Sequence, residues 1–486
     1  MRISKTATAI AAVIAVLSVG FTTMAAGTGP KFDIHLVRDI TTTPMGSDPQ
    51  GFVSIGNRVL FQATGADQQQ ELWVTNGTAA GTHILSLGGS YGDLLQMAPA
   101  GNDAYFGAQG PNESSQVWKS DGTQHGTVMI KSWPKGMGGA NTFTAVGSTV
   151  YFVSGNGHTG ALWRSNGTPG GTRMIRTILL GPGSGYHFNL PGLTAAGKTI
   201  YFEAYSAAAG RELWKSDGTT AGTMLLKDIN RGPHDSNFQP LASLGNILYF
   251  SANDGVHGTE LWRTDGTVAG TRMVKDIAPD SPSLGIQSSN PSQMIVAGKE
   301  VFFLACSRVP ENRTRCDHPG AIGPNEIWKS DGTAAGTVEV KQISVFENLE
   351  YLGPDAHGKP IILFDGWDHA HGFRVWRSDG TPAGTQILAG FPFPDPSYLT
   401  PLGTAHPLAV FVGYGSGKNQ LWATDGTAAG TRLLARAEPA YLTPATLRGK
   451  PGVIFSGADS ATSSQPWFSD GTPSGTAMIK RVNMAD

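Results

Sequence analysis

Charge and cysteine are both scarce in this chain. Only 15% of its 486 residues are charged, with 35 Lys and Arg against 37 Asp and Glu. Without a basic field to neutralise phosphates, nucleic acid is excluded as a partner. The two cysteines, Cys306 and Cys316, stand apart and form no paired Cys-x-x-Cys motif, and no Gly-rich phosphate loop, HExxH or GxSxG stretch occurs. Beyond the first residues there is no apolar run long enough to span a bilayer. Glycine is abundant instead, at 65 residues, with 30 prolines and a hydrophobic share of 40%. That mixture interrupts helices yet supplies a core, so the expected fold is all-β.

Residues 1–26 lack Asp and Glu, carry Arg2 and Lys5, run apolar from Ala7 to Phe21 and end in Thr22-Thr23-Met24-Ala25-Ala26. These are the three regions of a secretory signal, with cleavage expected after Ala25 or Ala26. An uncleaved anchor is the competing reading, but the apolar run is short for a span, and the absence of cysteine excludes a lipoprotein. The expected mature protein, 27–486, is exported to the periplasm or beyond and keeps no membrane contact. In an oxidising compartment Cys306 and Cys316 are expected to close a small disulfide loop. A metal site built from them with Asp317 and His318 has too few ligands, and neither metal nor cofactor is expected.

One unit recurs through the whole mature chain. Its first copy is Glu71-Leu72-Trp73-Val74-Thr75-Asn76-Gly77-Thr78-Ala79-Ala80-Gly81-Thr82, and eight further tryptophans hold the same place: Trp118, Trp163, Trp214, Trp262, Trp328, Trp376, Trp422 and Trp467. They lie 45 to 51 residues apart, except for 66 between Trp262 and Trp328, where an insertion at about 307–325 holds Cys316. Two places after each Trp stands a Ser or Thr, then a turn residue: Asn76, Asp121, Asn166, Asp217, Asp265, Asp331, Asp379, Asp425 or Asp470. Two Gly-Thr pairs complete the motif. Asp or Asn at this place accepts bonds from the turn's own N–H groups, and the glycines supply backbone angles that side chains resist, so the motif reads as a tight loop between two strands. Before each Trp comes a strand such as Ile247-Leu248-Tyr249-Phe250, and before that a short one ending in Gly. Four strands repeated nine times define a β-propeller of about nine four-stranded antiparallel blades. The tryptophans are expected in the inter-blade core. The fourth-strand patterns at His35–Ile40 and Ala477–Val482 suggest a ring closed by its N- and C-terminal strands.

These nine copies resemble the bacterial ELWxxDGT repeat proteins, over nearly all of 27–486. The resemblance implies a repeat architecture and export from a bacterial cell. It implies no reaction and carries no catalytic residue with it.

Function in a propeller sits in loops at one end or in the channel, so departures from the repeat are the informative places. Trp367-Asp368-His369-Ala370-His371 gathers an aromatic, a carboxylate and two imidazoles where other units carry small residues. It is the leading ligand-binding candidate, as a pair of His ligands beside Asp368 or as a general base, with a solvated polar loop as the plain alternative. The insertion at 307–325 and the link from Asn230 to Pro240 are weaker candidates. The residue after the motif Trp is basic in six units (Lys119, Arg164, Lys215, Arg263, Lys329 and Arg377), while Glu precedes the Trp by two places in four (Glu71, Glu212, Glu260 and Glu326). This reads either as charge balance on exposed strands or as an anionic-ligand surface. The expected function is a binding or scaffold module for a carbohydrate, cell-surface polymer or protein partner, without catalysis. A polysaccharide-degrading lyase or hydrolase, and a structural envelope or matrix component, are the alternatives.

Overall fold

The computed structural model describes residues 46–482 apart from 66–68, 89–93, 136–138, 156–158, 182–191, 281–284, 308–325, 369, 389–396, 404–405, 416 and 459–462. All of them fall within one compact unit, Thr43–Asp486. They form nine four-stranded antiparallel sheets, each built from four consecutive strands. In blade 5 these are Gln239–Leu244, Ile247–Asn253, Thr259–Thr264 and Arg272–Lys275. The first strands of successive blades contact one another in a complete cycle, so they surround the axis. Each blade therefore has one rim carrying its second-to-third-strand turn and the linker to the next blade, and an opposite rim carrying the Asp-Gly-Thr turns.

The Leu-Tyr-Phe strand and the Leu-Trp strand pair so that the Phe lies across from the Trp, as in Phe250↔Trp262. The rings stack, at 6.1 Å and 2° for Phe152 and Trp163. Clusters of apolar side chains then join blade to blade: Tyr201, Leu213 and Leu226 of blade 4 pack with Phe238, Leu248 and Phe250 of blade 5. Trp262 is 6% exposed, and the motif tryptophans are buried or half-buried throughout.

A basic residue on the fourth strand latches the motif Trp of the following blade at five junctions, those with Trp163, Trp214, Trp262, Trp328 and Trp376. Lys227 Nζ lies 5.7 Å from the Trp262 ring centre and donates to Thr271 O at 2.6 Å, and Lys275 repeats this with Trp328 and Thr337 O. The ring closes by the same devices. Phe52, Phe61 and Trp73 of blade 1 share a core with Leu447 and Ile454 of blade 9, and Lys480 donates to Thr82 O. The fourth strand of blade 9 is the C-terminal Thr476–Met478, paired within its own blade, and blade 1 opens with Gln50–Ile55. Closure is thus packing between whole blades, while the His35–Ile40 segment lies outside the described residues.

The Asp-Gly-Thr turn is a self-contained hydrogen-bond unit. In blade 5, Asp265 Oδ1 accepts from Thr267 N and Thr267 Oγ1, Gly266 N donates to Thr264 Oγ1, and Thr271 Oγ1 donates to Thr267 O. Because Thr271 donates onward, Thr264 must donate to it, which gives a relay of aligned hydroxyls. Only the first glycine of each motif has a positive φ, for example 87° at Gly167, where a β-carbon would also stand 2.7 Å from the Tyr105 hydroxyl of the preceding blade. The second glycine is needed for space rather than for its backbone angle: at Gly126 a β-carbon would run into the Asp121 carboxylate.

Candidate functional site

Asp368 ends the second strand of blade 7, Pro360–Asp368, and Gly372 begins the third, Gly372–Ser378. The short turn between them aims the N–H groups of Ala370 and His371 at Asp368 Oδ1, at 3.0 and 2.6 Å. The His371 ring nitrogen Nδ1 lies 2.9 Å from Asp368 Oδ2. Partial burial works against ionisation of Asp368, but the bonds from His371 prevail and hold its carboxyl below the usual range. With Nδ1 held by a carboxylate, Nε2 is left outward on a side chain that is 55% exposed. Trp367, half-buried, lies across from Phe373 in the same hairpin. The structure thus brings Trp367, Asp368 and His371 together at one rim, while His369 lies outside the described residues.

This cluster is less singular than its sequence suggests. In blade 5, Asp254 accepts from Val256 N and His257 N, and His257 Nδ1 lies 2.8 Å from Asp254 Oδ2. That bond raises the His257 pKa. Asp368-His369-Ala370-His371-Gly372 is therefore the counterpart of Asp254-Gly255-Val256-His257-Gly258, a repeated Asp-x-x-His-Gly turn rather than a break in the repeat. The common spacing was the signal that reveals this. Blade 7 differs in placing a Trp before the Asp, where blade 5 has Asn253.

The motif glutamates are not balancing charge on exposed strands. Glu212 and Glu260 are fully buried, and each holds the linker that leaves its blade on this rim. Glu260 accepts from Ile277 N, Ser289 N and Ser289 Oγ at 2.6 to 2.9 Å, and Glu212 accepts from Ile229 N and Asn230 N. Burial pushes both carboxyls up to about 7. In blade 9 the neutral isostere Gln465 does the same work, accepting from Val482 N and from Ser47 Oγ across the seam between the chain ends. On the inner strand of blade 7, burial alone pushes Glu350 up to about 7.

Most of the basic residues after the Trp are likewise engaged. Lys119 pairs with Asp103 at 3.0 Å, Lys329 pairs with Glu300, Lys215 donates to Gly266 O, Arg263 to Gly332 O and Arg377 to Gly426 O of the next blade. Lys215, Arg263 and Arg377 thus join blades, Lys119 and Lys329 pair within their own, and Arg164 alone of the six is exposed. The Asn230–Pro240 link is also structural, since Asp235 accepts from Arg211 N and Arg211 Nη1. Cys306 is buried, but Cys316 and most of the insertion lie outside the described residues. Among the described residues no three His, Cys, Asp or Glu side chains converge as metal ligands.

These features define an all-β, nine-bladed propeller with one rim of repeated, self-satisfied turns and one of linkers and Asp–His hairpins. No family model and no curated protein matches the chain. Among solved structures it is similar to a prolyl endopeptidase, at 13% identity and a TM-score of 0.40, covering 76% of this chain and 53% of that one. The β-propeller domain of the Trilobed protease from Pyrococcus furiosus gives 11% identity and 0.34, covering 69% and 95%. An acylaminoacyl peptidase from Pyrococcus horikoshii gives 12% and 0.36, covering 76% and 58%. The chain thus spans little more than half of the two whole peptidases, and such values carry no function to it.

Proposed function

We propose that the chain is an exported propeller of the ELWxxDGT repeat type that acts as a binding or scaffold module for a carbohydrate or cell-surface polymer. The observation that carries this reading is the inequality of the two rims. Every Asp-Gly-Thr turn uses its own carboxylate or amide and hydroxyls internally. The opposite rim offers the outward Nε2 of His371 and His257 and the half-buried Trp367. An imidazole oriented by a carboxylate beside an aromatic ring suits hydroxyl-rich ligands. Export rests on the signal-like residues 1–26, and a disulfide between Cys306 and Cys316 fits the same compartment. A denatured, non-reduced sample is expected to titrate no free thiol, and two titrated thiols would remove that bond from the account.

The function is tested by screening the purified protein on bacterial and plant polysaccharides while assaying the same samples for new reducing ends or unsaturated products. Retention without products is expected, and Asp368→Asn and His371→Ala should weaken it. Products that vanish in those two variants would establish the polysaccharide-degrading alternative. No retention on any polymer would leave a protein partner or a matrix role.

A further inference from the structure

Around the axis the first strands share one irregularity. In blades 1, 2, 3, 6, 8 and 9, two residues of the first strand face a single residue of the second, which is always the Phe of the Leu-Tyr-Phe strand, such as Phe411 or Phe455. The second bulged residue turns into the core, as Phe52, Phe143 and Leu399 do. The first stands in the left-handed region in five of these blades: Gly51 at φ 63°, Thr142 at 57°, Gln293 at 46°, Tyr398 at 55° and Tyr441 at 57°. Glycine adopts this conformation freely, whereas an aromatic residue is strained by it.

Blades 8 and 9 nevertheless both carry tyrosine here, in an identical tetrapeptide, Tyr398-Leu399-Thr400-Pro401 and Tyr441-Leu442-Thr443-Pro444. Each bulge is tied by its own threonine, Thr400 Oγ1 donating to Tyr398 O at 2.9 Å and Thr443 Oγ1 to Tyr441 O at 3.3 Å. The leucines pack inward, but the tyrosines do not: Tyr398 is 47% and Tyr441 53% exposed. Neither ring belongs to the apolar clusters that hold Leu399 and Leu442, and the backbone would be easier with glycine. Local strain retained without a packing return marks a functional position.

Both are the second residue of their first strands, Ser397–Pro401 and Ala440–Leu447, just after the linkers that enter from the rim carrying the Asp–His hairpins. A third exposed tyrosine, Tyr414, stands on the hairpin of blade 8 at that rim, with the Lys418–Glu438 ion pair joining the same hairpin to the linker into blade 9. We infer that Tyr398 and Tyr441 form a paired aromatic platform at the mouth of the ring for a polysaccharide of pyranose sugars. This rests on the binding function proposed above and assigns it a subsite. A pyranose presents a C–H face that stacks on a phenol ring and an edge of hydroxyls that the Tyr O–H groups, Lys418 and Glu438 can bond.

The test is affinity electrophoresis of residues 27–486 in gels containing hydroxyethylcellulose, xyloglucan, pectin, alginate or dextran, with melting temperatures measured in parallel. The wild type is expected to be retarded by at least one polymer. The double variant Tyr398→Gly/Tyr441→Gly should bind about ten-fold more weakly or worse while melting at the same or a higher temperature, because two rings are lost and two strained residues are relieved. Tyr398→Asn/Tyr441→Asn, which also tolerates the left-handed conformation, should behave alike. Retardation of wild type and variants alike would overturn the platform and leave the binding function standing. No retardation of the wild type by any polymer would overturn both. A lower melting temperature in both double variants would make the tyrosines structural and also overturn the platform.

Discussion

Asp217, Asp265 and Asp331 are held below the usual carboxylate range by the hydroxyl and N–H of the threonine two places on. A lowered pKa contributes stability above the unfolded value and loses it as pH falls through the folded one, so these turns weaken in acid below about pH 4. Asp265→Ala should lower stability by about 1–2 kcal/mol, read as melting temperature, and leave polymer binding unchanged. Lost binding at unchanged stability would instead make the turn part of the site. The buried glutamates have the opposite sign. Glu212 and Glu260 titrate near 7 when folded against an ordinary value of 4.5, so the folded chain holds extra protons between those limits. Stability should therefore fall as pH rises from about 4.5 to about 7 and level off above it. Glu260→Gln, the substitution that Gln465 already represents, should flatten this slope in denaturation curves collected across the window.

At the level of elements, the strands and turns were legible because the repeat states them nine times. The Trp position, the Leu-Tyr-Phe run and the Asp-Gly-Thr spacing each mark a strand or turn without reference to the rest of the chain. What the repeat hides is whatever links one blade to the next. The Glu of Glu-Leu-Trp reads as an exposed charge until the linker folds over it, and Lys275 reads as a surface lysine until it meets Trp328. Lys275→Met should cost about 1 kcal/mol by removing a cation–π contact and the bond to Thr337 O. Gly167→Ala should cost about 2 kcal/mol or more, since it combines a left-handed backbone with a clash against Tyr105 of the neighbouring blade. Equal melting temperatures for Gly167→Ala and wild type would mean that this glycine does not serve blade packing. The inner-strand bulges were illegible for a different reason: the first strands are too short for one inserted residue to show as a shift in the phase of their alternation.

For the whole molecule, the ring divides its labour between two rims. One repeats a self-bonded Asp-Gly-Thr turn, while the other gathers linkers, Asp–His hairpins and, in blades 8 and 9, strained exposed tyrosines. The Trp367 to His371 cluster was visible in the sequence as an unusual composition with the spacing of Asp254 to Gly258, but the Asp–His bond that closes both turns emerged only in the structure. The seam between the chain ends is held by a lysine bond and an apolar cluster like those of other junctions, with Gln465 in the place of the clamping glutamate. The most direct test of this division is hydrogen–deuterium exchange, followed by mass spectrometry, on the protein with and without a polysaccharide that retains it. Protection is predicted in the peptides containing Trp367 to His371, Tyr398 and Tyr441, with the Asp-Gly-Thr turns unchanged. Protection confined to the Asp-Gly-Thr turns would place recognition on the opposite rim and contradict the account.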